Sequence, residues 1–174
     1  MINYKELLPR IKAFIFDVDG VLSRTTVGMD DTGAPLRTTS VKDGYALQLA
    51  VKHGYRIAII TGANTETIRK RYNYLGIEDI YLSSTYKLKD YEDFKQRHRL
   101  QDDEILYMGD DIPDLPVLQK VGLPVCPADA AQEIKEAVQY ISPVAGGDGC
   151  VRDIIEQTMK AQGSWMNAQT AFGW

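Results

Sequence analysis

The chain has 174 residues, 44% of them hydrophobic and 25% charged, with a net charge of −4. That length fits one α/β domain with a sizeable core, and the acidic balance argues against general nucleic-acid binding. No run is long enough to span a membrane, and Lys5, Glu6 and Arg10 interrupt the start, so neither a membrane segment nor a secretory signal is expected.

Residues 1–10 read as a short lead-in, a helical turn ended near Pro9. Residues 13–16 form a short apolar run with the character of a fully buried strand. A polar section rich in Thr and Gly follows, and the turn signal at 29–34 between β-branched residues predicts a hairpin. Asp43 can cap a helix running to Gly54. Strands are then expected at 56–60, 79–82, 104–108, 123–125 and 139–142. Helices are expected at 65–75, 87–99, 116–121, 130–137 and from Gly149 to about 161. Strand–helix alternation of this kind implies a parallel sheet covered on both faces, a Rossmann-like three-layer α/β sandwich. Residues 1–161 are read as one domain and 162–174 as a tail. Cys126 and Cys150 lack metal-ligand spacing and are expected to stay reduced thiols in a cytoplasm.

Asp17 and Asp19 follow the first strand, one residue apart, and then comes Gly20. Ligands of open α/β sheets sit at the carboxyl ends of strands. Two acids there can face one small volume, and they resist ionising together unless a cation or proton lies between them. A magnesium ion suits oxygen ligands and an incoming phosphate. One carboxylate could attack phosphorus while the other handles the proton. The plainer reading is a capped turn, since Asp and Gly are ordinary turn residues. An EF-hand is disfavoured, because its twelfth loop position would fall on Gly28 rather than Glu.

Later strand ends carry Thr61, Lys87, and then Asp110, Asp111 and Asp114. Each has a structural explanation: Thr61-Gly62 as a strand exit, Lys87 on a solvated helix face, Asp110-Asp111 as helix caps. Together they supply a nucleophile, a proton carrier, a hydroxyl, a cation and metal ligands, which fits phosphoryl transfer.

The motifs Phe16-Asp17-Val18-Asp19-Gly20-Val21, Ile60-Thr61-Gly62, the downstream Lys87 and Gly109-Asp110-Asp111 with Asp114 resemble those of the haloacid dehalogenase superfamily of phosphatases. The resemblance implies Asp17 as nucleophile forming an aspartyl-phosphate, Asp19 as general acid and base, and Thr61 and Lys87 on phosphoryl oxygens. It implies Mg²⁺ held by Asp17, the Asp19 main-chain carbonyl and Asp110, with Asp111 and Asp114 supporting. The gaps between motifs leave room only for a hairpin at about 24–39 and for single helices, so the chain looks like a lidless member.

Among lidless members, Val41-Lys42-Asp43-Gly44-Tyr45 and Gly146-Gly147-Asp148-Gly149 are similar to the family that hydrolyses 3-deoxy-D-manno-octulosonate (KDO) 8-phosphate, a step toward lipopolysaccharide. That similarity implies a phosphorylated sugar acid as small-molecule partner, with contacts from Ser40, Val41, Lys42, Asp43, Gly44, Gly62 and Arg71 beside Asp19, Thr61 and Lys87. It also implies a homotetramer built through the hairpins, with Phe172, Gly173 and Trp174 near a neighbour's site and Gly163 as hinge. The chain departs from the family pattern at Ala63 and Gln48, where arginines are usual, at Arg24, where an acid commonly follows Ser, and at Asp148, where arginine is frequent. Losing arginines weakens carboxylate recognition, since Arg holds that group in a bidentate fork. The alternatives are a phosphatase for a nine-carbon analogue such as KDN 9-phosphate and, in a different class, a catalytically silent interaction module.

Overall fold

The computed structural model describes residues 3–173. Six parallel strands, β1 (Ala13–Phe16), β2 (Arg56–Ile60), β3 (Asp79–Tyr81), β4 (Ile105–Met108), β5 (Leu123–Cys126) and β6 (Tyr140–Ile141), lie in the order β3-β2-β1-β4-β5-β6. The order reverses at β1, which sits centrally with the acid pair at its carboxyl end. In a doubly wound sheet this is where a crevice forms.

Alternation along each strand divides the apolar side chains between two cores. Phe14, Phe16, Ile57, Ile59, Leu106 and Met108 pack on one face under α1 (Val41–Lys52), α2 (Glu66–Tyr74) and α6 (Cys150–Ala161). Ala13, Ile15, Ala58, Ile60, Ile105 and Tyr107 pack on the other under α3 (Lys87–His98), α4 (Leu115–Leu118) and α5 (Gln132–Ala137). The expected three-layer α/β sandwich is therefore present. Cys126 and Cys150 are free and buried, one in each core. Among the described residues, no helix is long and apolar enough to cross a membrane.

Three local expectations come out differently. Two 3₁₀ turns, Tyr4–Glu6 and Leu8–Arg10, replace the single lead-in turn, with Pro9 inside the second. The cap of α1 is Ser40, whose Oγ accepts from the Asp43 amide at 3.2 Å. Asp43 instead reaches across to accept from the Arg152 amide at 2.7 Å, in the first turn of α6. There Gly149 occupies the N-cap with no side chain to offer, so Asp43 satisfies a donor that its own helix does not need. Between β1 and α1 the chain doubles back over 28–36 through Asp30 N–H to Ala34 O and Leu36 N–H to Gly28 O, with a single antiparallel bridge, Met29 to Pro35. No regular strand forms in this segment.

The described part of the tail lies on its own chain. Gln162 donates to Leu8 O and Ile11 O at 2.8 Å, Tyr45 OH donates to Ala171 O, and Trp165 meets Tyr45 edge-on at 6.2 Å. Arg152 lies over both rings. Gly163, at φ +69°, ends α6 in the left-handed conformation open to glycine. Phe172 is exposed, and Trp174 lies outside the described residues.

Candidate active site

The carboxyl ends of β1, β2 and β4 and the start of α3 surround a cavity of about 510 Å³. Asp17, Asp19, Thr61, Gly62, Lys87, Asp110, Asp111 and Asp114 all line it. Residues 93 positions apart in the chain, from Asp17 to Asp110, meet here because β1 and β4 pair in parallel register, Phe16 beside Met108.

Carboxylate oxygens of Asp17, Asp110 and Asp114 lie within 4.8 Å of one another. Lys87 stands among them, its Nζ 2.9 Å from Asp17 Oδ2 and 2.7 Å from Asp114 Oδ1. One ammonium cannot neutralise three acids. Burial first, then the Asp114 charge, pushes Asp17 up to about 7 against the pull of Lys87. Burial, Asp17 and Asp114 push Asp110 up to about 8. Burial lowers Lys87, but Asp17 and Asp114 outweigh it and hold the ammonium form.

Such a cluster suits a divalent cation. Asp114 is the acid least free to ligate. Its Oδ1 accepts from Lys87 and from Tyr107 OH at 2.5 Å, and its Oδ2 accepts the Asp110 amide at 3.0 Å. Asp17 and Asp110 are left as the side chains able to bind, with Asp114 fixing the loop that carries Asp110. Gly20 is required beside them. At φ +82° it takes a conformation L side chains avoid, and an added Cβ would fall 2.0 Å from Asp110 Oδ2. Gly146 closes the same corner, since its Cβ would meet Gly20 O at 1.9 Å.

Thr61 is buried, its Oγ1 accepting from the Ala63 amide at 3.2 Å. Asp19 points elsewhere: Arg37 Nε and Nη2 donate to its two oxygens at 2.8 and 2.9 Å. The other residues expected at the substrate do not line this cavity. Ser40, Asp43, Gly44 and Arg71 enclose a closed seam beside Leu22 and Tyr72, while Val41 and Lys42 are exposed at the start of α1. Gly44 leaves room for Arg71, whose Nη2 would lie 2.7 Å from a Cβ there. Arg71 also lines a second cavity of about 320 Å³ together with Arg37 and Thr38, Thr39, Thr65 and Thr67.

Sequence reasoning did not single out Arg37 or Tyr107, nor Thr25 and Ser84, which also line the catalytic cavity. Tyr107 carried a signal, a lone hydroxyl on an otherwise apolar strand one residue before its end. Arg37, Thr25 and Ser84 sit in loops whose course no periodicity describes.

Residues 79–154 match the haloacid dehalogenase-like hydrolase family. The 3-deoxy-D-manno-octulosonate 8-phosphate phosphatase KdsC of Escherichia coli (strain K12) is 36% identical over 153 residues, 88% of this chain and 81% of that protein. The crystal structure of the phosphatase of the same name from Yersinia pestis is similar with a TM-score of 0.91 at 32% identity, covering 95% of this chain and 90% of that one. A third, from Moraxella catarrhalis in complex with magnesium ion, phosphate ion and KDO, gives a TM-score of 0.88 at 29% identity over 94% of each chain. With the sheet order, the acid cluster and the sequence identity in agreement, the chain belongs to the haloacid dehalogenase-like hydrolases, within the family of the 3-deoxy-D-manno-octulosonate 8-phosphate phosphatases.

Proposed function

We propose that this hydrolase cleaves the phosphate ester of a sugar acid, KDO 8-phosphate first, with Mg²⁺ as its cofactor. The observation that carries the reading is a buried lysine, Lys87, ion-paired to Asp17 inside a cavity that also holds Asp19, Thr61 and Asp110. The names of the relatives support the substrate.

An Asp17 carboxylate oxygen attacks phosphorus and the bond to the sugar oxygen breaks, leaving the phosphoryl group on Asp17. Asp19 gives its proton to the departing oxygen, then takes one from the water that attacks the aspartyl-phosphate and releases phosphate and Asp17. Lys87 and the Thr61 hydroxyl hold phosphoryl oxygens, with Gly62 leaving them room. Asp17, Asp110 and the Asp19 main-chain carbonyl would hold the metal, with Asp111 and Asp114 supporting them. Bound Mg²⁺ supplies charge neutralisation at the phosphoryl oxygens. The sugar acid extends toward Arg71 and the segment Ser40, Val41, Lys42, Asp43 and Gly44. The same reading places the enzyme in the cytoplasm as a homotetramer assembled through residues 24–39, where Met29 and Leu36 expose apolar surface.

Phosphate release from KDO 8-phosphate with and without Mg²⁺, by wild type and by Asp17→Asn, tests this. The amide is a poor nucleophile of nearly the same volume, so turnover should fall by more than the ~10²–10⁴ typical of lost acid–base help. Substantial activity in Asp17→Asn removes it as nucleophile. Metal-independent release of phosphate would remove the cation from the scheme.

A further inference from the structure

Arg37 joins the two cavities. Its guanidinium grips both carboxylate oxygens of Asp19, which lines the catalytic cavity, while its side chain walls the neighbouring one beside Arg71. The pair is unequal in exposure: Arg37's side chain is 17% accessible, Asp19's 50%. The arginine is the seated partner and the aspartate the one with room to turn.

Two further observations bear on what this pair does. The fork fixes the Asp19 carboxylate on Arg37, so turning it onto a phosphoryl group in the cavity requires that pairing to loosen. Arg71, which also lines the second cavity, has its Nε buried without a protein partner, so its guanidinium is not fully committed within the fold. The second cavity is lined by two arginines and four threonines against one acid, Asp30, and several apolar side chains, a polar balance that favours a carboxylate with neighbouring hydroxyls.

We propose that Arg37 exchanges partners, leaving Asp19 for the carboxylate of the incoming sugar acid, so that the substrate itself frees Asp19 to face the phosphoryl group. Arg37 is then a specificity residue with a gate attached: an ester without a carboxylate enters the site but leaves Asp19 held. This rests on the sugar-acid reading above.

The test measures kcat and KM for KDO 8-phosphate and for p-nitrophenyl phosphate, which has no carboxylate, at saturating Mg²⁺ in wild type, Arg37→Met and Arg37→Lys. In Arg37→Met, kcat for p-nitrophenyl phosphate should rise several-fold because Asp19 is released. KM for KDO 8-phosphate should rise by about 10–100-fold, the usual loss for a charged hydrogen bond. Arg37→Lys keeps the charge without the fork and should fall between the two. It also serves should the Met variant fold poorly. A fall on both substrates in equal proportion, or no rise on p-nitrophenyl phosphate, overturns the gate. Wild type that cleaves p-nitrophenyl phosphate but not KDO 8-phosphate overturns the sugar-acid reading instead, whatever the Arg37 variants do.

Discussion

Arg24 Nε lies 2.8 Å from Asp148 Oδ1, an ion pair between the segment after β1 and the glycine loop before α6. Both positions were singled out in the sequence as unusual, and the structure shows them facing one another as opposite charges. Both side chains are about half exposed, so the pair serves to match two loops more than to stabilise the fold. Arg24→Asp alone, or Asp148→Arg alone, should cost about 0.2–1 kcal/mol in urea unfolding. The double exchange should recover most of it. Additive losses in the double variant would show that the two side chains do not act as a pair.

The acid cluster makes stability depend on pH in a direction that can be worked out. Asp17 and Asp110 are raised in the folded chain, to about 7 and about 8, from an ordinary 3.8. The folded state therefore binds more protons than the unfolded one between about pH 4 and 8, and metal-free stability must fall as pH rises through that window. Asp43, raised by burial to about 6, adds a loss of the same sign at the acid end. In EDTA the Tm should drop from pH 5.5 to pH 8.5, and Mg²⁺ should raise it more at pH 8.5. Asp110→Asn should flatten the metal-free profile above pH 6. An unchanged slope in that variant would separate the pH dependence from the cluster.

Lys87 is 6% exposed and answers two buried acids at once. Lys87→Met should destabilise the metal-free protein by about 3–5 kcal/mol, the usual cost of stripping one partner from a buried ion pair. Its defect should shrink when Mg²⁺ is added, because the cation opposes the same charges. Turnover should stay low even then, since no ammonium faces the phosphoryl oxygens. Full recovery of kcat with metal would make Lys87 a structural cation only.

The parallel strands and the order of the acids along the chain were legible in the sequence. A buried strand needs only a short apolar run; Asp17, Thr61 and Asp110 fall within two residues of a strand end, and Lys87 opens the helix after the third strand. Gly20 was legible as a turn, though its other reason, the carboxylate of Asp110 in the space a side chain would take, comes from 90 residues away. What tertiary structure alone decided are partnerships between loops: Arg37 with Asp19, Arg24 with Asp148, Tyr107 with Asp114, and Asp43 with the first turn of α6 rather than its own helix. Periodicity and capping rules describe each residue against its chain neighbours. A charged or polar side chain in a loop pairs with whatever the crossing of distant segments brings within about 3 Å, and that crossing is set by how the helices pack on the sheet.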